Sequence, residues 1–135
     1  MTFLKLIYRK LIKLQLFCIS LLQLLAVNEN HIFDMKELPE VYYPRLSTYL
    51  EEITFNILFA RAVIERMVGG QVYVDHVAHP RTYYIVHPYG MSLLGGDFTN
   101  AEFNSAFRRH ALNTDRKRTK HEWMQVYPHA WNFVL

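Results

Sequence analysis

The sequence has little cysteine, glycine and proline, and each shortage excludes a class of protein. Cys18 is the single cysteine among 135 residues, which excludes an internal disulfide framework and a cysteine-based zinc site. Five glycines and five prolines are too few for a collagen-like or low-complexity chain. Hydrophobic residues make up 51% of the chain and aromatic residues 15%, so we expect one folded domain with a buried core.

The chain also has little surplus charge where a nucleic-acid-binding protein would carry it. Residues 1–34 hold four basic and two acidic residues, whereas residues 35–135 hold 11 basic and 10 acidic residues. A protein that grips the phosphate backbone usually has a larger basic surplus in its folded part. The near-neutral body therefore argues against nucleic acid as a partner.

Residues 1–34 form a basic and apolar N-terminal extension. Four cations precede an uncharged apolar run from residue 14 to residue 27, which is the order of a signal peptide. The run is short for a membrane span of about 20 residues, and Leu24 stands where a cleavage site prefers a small side chain. Two interpretations are open. Residues 1–27 anchor or export the chain at a membrane, or Met35 is the true start and the protein is cytoplasmic.

Residues 35–135 are predicted to form an α+β domain that begins with an amphipathic helix. Apolar residues recur at spacings of three and four over about twenty residues. Thr48 and Glu51 can form a capping box at the start of this helix, and Gly69 and Gly70 can end it. The apolar stripe consists of Leu50, Ile53, Ile57, Ala60, Ile64 and Met67.

The next segment has the alternation of β-strands. Residues 71–77, 82–86 and 91–94 each predict a strand, and the third closes at Gly95 and Gly96. The links between them contain Pro80 and Pro88, which lack the N–H group that a sheet requires. The pattern predicts a three-stranded antiparallel meander.

A further helix and strand follow the meander. Thr99 and Glu102 can form a second capping box, which predicts a helix with Phe103 and Phe107 on its inner face and Asn104 outside. Residues 122–127 predict a fourth strand.

Pro128 is suited to the first turn of a final helix. We expect this C-terminal helix to be truncated at Leu135 and to leave an exposed apolar surface. That surface would include Trp123, Tyr127, Trp131 and Val134.

Three sets of residues are candidates for chemistry. His76, His79 and His87 lie near Asp75, but their spacing along extended chain fits a metal site poorly, so surface histidines are the favoured interpretation and no metal is expected. His121 and Glu122 begin a zincin-like pattern that fails, because Gln125 stands where the second histidine is required.

Gly95, Gly96 and Asp97 precede a predicted helix, whose N-terminus can attract a phosphate, but no recognised phosphate-binding glycine motif is present. We favour a structural role for these glycines. Residues 108–120 hold six basic residues against Asp115, and a solvated loop is favoured over a phosphate-binding one.

The segment from Glu65 to Phe107 resembles a bacterial family of GNAT-type acetyltransferases whose members carry a mixed N-terminal domain before their acetyl-CoA domain. The resemblance rests on GQVYVD, HPRTYYIV and LLGGD, and later on WMQVYPHAWNFVL. It implies that residues 35–135 are the N-terminal domain of an enzyme that moves an acetyl group from acetyl-CoA to an amine.

The family holds the cofactor's pyrophosphate with an [RQ]-x-x-G-x-[GA] loop, and this motif occurs nowhere in the sequence. The resemblance therefore assigns no catalytic or cofactor-binding residue here. It implies a missing C-terminal acetyltransferase domain as partner, an unknown amine acceptor and a fragment that is inactive alone. Two other classes stay open: a small interaction module that binds a partner chain, and a membrane-anchored or exported protein.

Overall fold

The computed structural model describes the backbone of residues 2–27 and 33–135, and the side chains of residues 7–23 and 33–135. It divides into two compact units, Met1–Ile32 and Phe33–Leu135. The boundary that the sequence predicts, after residue 34, lies two residues from the boundary between these units.

The first unit contains one helix, α1, at Thr2–Val27. The side chains of residues 7–23 are all exposed. In the part of the chain that the structure describes, no helix combines the length and the apolar character needed to cross a membrane.

The second unit is built on a five-stranded sheet with the order β1-β2-β3-β4-β5. The strands are β1 at Lys36–Glu37, β2 at Gln71–Val74, β3 at Thr82–His87, β4 at Met91–Gly96 and β5 at Trp123–Tyr127. Strands β1 to β4 pair antiparallel, and β5 runs parallel to β4. The α+β class and the three-stranded meander are therefore confirmed, although β2 ends earlier than the predicted residue 77.

Helices cover both faces of this sheet. A 3-10 segment at Glu40–Leu46 leads into α2 at Ser47–Glu51, and α3 follows at Leu58–Ile64. These three elements pack with one face of the sheet in the larger apolar cluster. Helix α4 at Ala101–Ala111 packs on the other face.

The single long helix expected between residues 48 and 68 is wrong. Helix α2 ends at Glu51, and α3 begins at Leu58, whose N–H donates to Asn56 Oδ1. The carbonyl of Leu50 at the end of α2 accepts a hydrogen bond from the Arg61 guanidinium of α3 at 3.3 Å. The break therefore leaves the apolar stripe buried, apart from Met67, which is 74% exposed.

Both predicted capping boxes are also wrong. No side chain caps α2, whose N-cap is Leu46. Helix α4 is capped by Asn100, whose Oδ1 accepts the N–H of Phe103 at 3.1 Å. Thr99 instead donates to Asp97. Helix α3 ends through Arg66 at φ 59°, not through the two following glycines.

The inner face of α4 is confirmed for Phe103 and Phe107, which are buried. Asn104, expected outside, is buried as well, because its Nδ2 donates to the carbonyl of Phe98 at 2.8 Å. This bond ties the first turn of α4 to the chain that enters it.

The C-terminal segment departs from the expected helix. Residues His129–Phe133 form a 3-10 segment, and Trp131 is fully buried beside Tyr84, Leu94 and the phenylalanines of α4. Trp131 therefore belongs to the core, so the predicted apolar surface is wrong for it. Trp123, at 83% exposure, and Phe133, at 92%, do lie on the surface.

The turn from β4 to α4 requires glycine at position 96. Gly96 has φ +84°, and a Cβ atom there would lie 2.0 Å from the carbonyl oxygen of Arg81. A Cβ atom at Gly95 would lie 2.4 Å from the ring of Tyr83. Both contacts are far closer than atoms can approach, so these two positions accept no side chain without movement of their neighbours.

We expect Gly96→Ala to lower the free energy of unfolding by about 1–3 kcal/mol, because alanine is strained at this φ and collides with the backbone of Arg81. Urea denaturation measures the effect. Gly69→Ala is the matched control, since a Cβ atom at position 69 would meet no atom within 4 Å. Equal stabilities of the two variants would contradict the role of Gly96.

Candidate functional site

A cavity of about 430 Å³ lies within the second unit. We call it the basic pocket. Its walls come from β2, the end of β3, helix α4 and the link between α4 and β5. The charged and histidine side chains that line it are Asp34, His87, Arg109, His110, Asp115, Lys117, Arg118, Lys120 and Glu122.

Tyr73, His110 and Glu122 line the pocket and are called its inner wall, and the buried Tyr84 contacts all three. Tyr73 of β2 and Tyr84 of β3 are register partners, and their rings stack with centroids 6.1 Å apart. The Tyr84 hydroxyl donates to Glu122 Oε2. His110 packs edge-on against Tyr84 with centroids 5.3 Å apart. The sheet therefore positions a carboxylate and an imidazole on one aromatic surface.

The surroundings shift the protonation of both groups. Burial raises the pKa of Glu122, because a carboxylate loses hydration when half of it is covered. Burial lowers the pKa of His110, and the nearby positive charge of Arg118 lowers it further, with a smaller opposing effect from Asp34. His110 is therefore neutral at neutral pH, and its buried Nε2 has no hydrogen-bond partner among the described residues.

The outer rim is the basic stretch identified in the sequence. Of its six cations, the structure brings Arg109, Lys117, Arg118 and Lys120 to the pocket, while Arg108 and Arg116 do not line it. This arrangement follows from the fold of the link: Asn113 Oδ1 accepts the Arg118 N–H at 2.8 Å, and Asn113 Nδ2 donates to the Arg118 carbonyl at 3.0 Å.

The three candidate histidines are not brought together. His76 and His79 are exposed, whereas His87 is buried and its Nδ1 accepts the N–H of Tyr89 at 3.2 Å. Across residues 2–27 and 33–135, the structure places no group of three or more metal-ligating side chains close enough to hold an ion.

Asp75 has a structural task. Its Oδ1 accepts backbone N–H groups from His76, Arg81 and Thr82 at 2.9, 3.0 and 3.2 Å. Its Oδ2 accepts from Asn100 Nδ2 at 3.2 Å. The carboxylate therefore closes the turn between β2 and β3 and joins it to the start of α4.

The Gly95–Asp97 segment does not fit a phosphate. The N–H of Phe103 in the first turn of α4 is already bonded to Asn100, and the carboxyl of Asp97, whose pKa is lowered by hydrogen bonds from Thr99, precedes the helix in the chain. Its negative charge would repel an anion. The structure supports the structural role expected for the glycines.

Sequence reasoning missed Tyr73, Tyr84 and the role of Glu122. Tyr73 and Tyr84 stand opposite each other on neighbouring strands, a pairing that only the register reveals. The sequence points to Glu122 only through the zincin-like pattern that fails.

Comparison with known proteins gives no relative from which to assign the site. No protein-family model matches the chain, and no curated protein matches it. The function must therefore be argued from the residues themselves.

We expect Glu122→Gln to make the protein more stable near pH 7.5 and to make no difference below about pH 4. The raised pKa means that the folded state favours protonated Glu122, so its contribution to stability is present at low pH and is lost as the pH rises through the folded-state pKa. Glutamine is neutral at every pH, so the variant does not lose stability as the pH rises through the pKa of Glu122.

Urea midpoints of the wild type and the variant at the two pH values measure the difference. Glu51→Gln, at an exposed position, is the control. A variant that is less stable than the wild type at pH 7.5 would show that the Glu122 charge stabilises the fold.

Proposed function

We propose that residues 33–135 are the N-terminal portion of a GNAT-type N-acetyltransferase and do not catalyse acetyl transfer alone. The observation that carries the proposal is where the resembling segments lie. GQVYVD and WMQVY contain β2 and β5, HPRTYYIV contains β3 except for its last residue, and LLGGD contains the last four residues of β4, so the resemblance reaches four adjacent strands of one sheet. The similarity thus concerns the framework of a fold and not one short loop.

The second part of the proposal is that the chain does not catalyse acetyl transfer alone. It is supported by the residues before α4, where a helix N-terminus could bind a cofactor phosphate. The glycine-rich turn before α4 does not fit the cofactor's pyrophosphate, since Asp97 accepts a hydrogen bond from Thr99 and Asn100 accepts the N–H of Phe103. The [RQ]-x-x-G-x-[GA] loop is absent from the sequence. The parent enzyme would transfer the acetyl group from acetyl-CoA to an amine in the cytoplasm, with a C-terminal acetyltransferase domain as the partner of this unit.

We expect calorimetric titration of acetyl-CoA into the chain to show no binding tighter than about 10 μM, roughly −7 kcal/mol. Tighter binding would overturn the inactive role. The coding DNA beyond the codon for Leu135 tests the family separately: an [RQ]-x-x-G-x-[GA] loop there, in frame or shifted by one base, supports the proposal. Its absence would favour an interaction module.

Helix α1 supports a second proposal, attachment to an anionic membrane surface. Residues Thr2–Val27 contain no acidic side chain. At 3.6 residues per turn, Ile7, Leu11 and Leu14 share one face of the helix, and Arg9 and Lys13 lie on the opposite face. An exposed helix of this kind lies in the membrane interface with its cations at the lipid headgroups.

We expect the full chain to sediment with vesicles that contain phosphatidylserine and a chain starting at Met35 to stay in solution. The shorter chain should still unfold cooperatively, because both apolar clusters are formed by residues beyond position 32. It loses Phe33, whose carbonyl accepts a bond from Arg109 at 2.6 Å, so its thermal midpoint should fall slightly.

A chain starting at Phe33 behind an added methionine is the control and should recover that midpoint. Vesicle binding by the chain that starts at Met35 would contradict a membrane role for α1, and non-cooperative unfolding would show that residues 1–32 are part of the core.

A further inference from the structure

The basic pocket has an arrangement of charges that the proposed function does not use. Its inner wall holds the half-buried carboxylate of Glu122, and its rim holds the cations of the α4–β5 link. Besides Glu122 and these cations, the lining includes the carboxylates of Asp34 and Asp115, so both signs of charge line one cavity of about 430 Å³, a size typical of small-molecule sites.

The inner wall lacks a cation. Glu122 accepts one hydrogen bond, from Tyr84, and forms no ion pair among the described residues. A half-buried carboxylate that has lost part of its hydration and has no positive partner destabilises the folded state. An ammonium group of a ligand would supply that partner.

His110 presents a second unmet requirement. Its Nε2 is fully covered and has no hydrogen-bond partner among the residues that the structure describes. Buried polar atoms are nearly always hydrogen-bonded. The covered Nε2 is out of reach from the cavity, so only the accessible part of the His110 ring lines the pocket beside Tyr73.

The rim offers positive charge that the fold leaves available. In the described part of the chain, Arg118 and Lys120 form no ion pair, and Lys117 lies 3.9 Å from Asp34 in an exposed contact. The backbone of Arg118 is fixed by Asn113 on both its N–H and its carbonyl, so the guanidinium projects from a held position. A guanidinium matches the oxygens of a phosphate.

We propose that the basic pocket binds a small amine-bearing phosphate monoester, with its phosphate at Arg118 and Lys120 and its ammonium group at Glu122. Two cations on the rim favour the doubly charged phosphate over a carboxylate. The proposal does not depend on membership in the acetyltransferase family, because it rests on the lining of the cavity alone.

Titration of the full chain with O-phosphoethanolamine, followed by amide NMR shifts of residues 113–122, tests the proposal. We expect a dissociation constant of about 1 mM or tighter. Ethanolamine and methyl phosphate each carry only one of the two groups and should bind at least about tenfold more weakly. Glycerophosphoethanolamine, a singly charged diester like a lipid headgroup, should also bind more weakly than the monoester.

Arg118→Gln should weaken O-phosphoethanolamine binding about tenfold, because one charge-assisted hydrogen bond is lost. Arg116→Gln is the matched control, since Arg116 lies in the same link but outside the pocket, and should bind as the wild type does. Glu122→Gln should remove the preference for O-phosphoethanolamine over methyl phosphate. The dispersed spectrum of each variant shows that it is folded, and Lys120→Gln replaces Arg118→Gln if that variant unfolds.

Three results would overturn the proposal. One is the absence of any change in the amide NMR shifts of residues 113–122 at roughly 10 mM ligand, which is ten times the expected dissociation constant. Another is equal weakening by Arg118→Gln and Arg116→Gln, which would mean that only the general charge of the link matters. The third is binding of the diester as tight as that of the monoester, which would assign the pocket to a lipid headgroup.

Discussion

The alternation of side chains along β3 is the constraint on which the second unit depends. Tyr83 and Tyr84 are neighbours in sequence and are both about 1% exposed, yet they belong to different apolar clusters. Successive side chains of a strand point to opposite faces, so these two rings anchor the two layers of helix on either side of the sheet. A shift of one residue in the pairing of β3 would exchange them and disrupt both cores.

The basic pocket follows from the one parallel pairing in this sheet. Because β5 runs parallel to β4, the chain must return from the end of β4 to its start before β5 begins. Helix α4 makes this return, and the link that follows reaches the sheet beside the start of β4, at Trp123 opposite Met91. The basic stretch is therefore held at the sheet end where β3 stops, and it becomes the rim of a cavity.

Local patterns predict the strands well and the helices less well. Alternation identifies β2, and the β-branched and aromatic residues of TYYIV identify β3. The apolar stripe from Leu50 to Ile64 predicts one helix. The spacing of apolar residues indicates which side chains are buried, but not whether the helix between them is unbroken. Asn56 and Arg61 form hydrogen bonds at the break that a continuous helix would not contain.

The candidate site is harder to predict for the same reason. The sequence reveals the cluster of cations but gives no sign that a carboxylate faces them. Tyr73, Tyr84 and Glu122 come from three separate strands or links, and strand register with the crossover of α4 brings them together.

Tyr83 and Gly95 are far apart in sequence, but their close contact means that the residue at one position limits which residues the other can hold. The Tyr83 ring occupies the space in which any side chain at position 95 would begin. A larger residue can enter at 95 only after the ring at 83 has been replaced by something smaller, and a smaller residue at 83 leaves a hole that glycine cannot fill. A side chain at position 95 therefore requires a compensating change at its register partner, position 83.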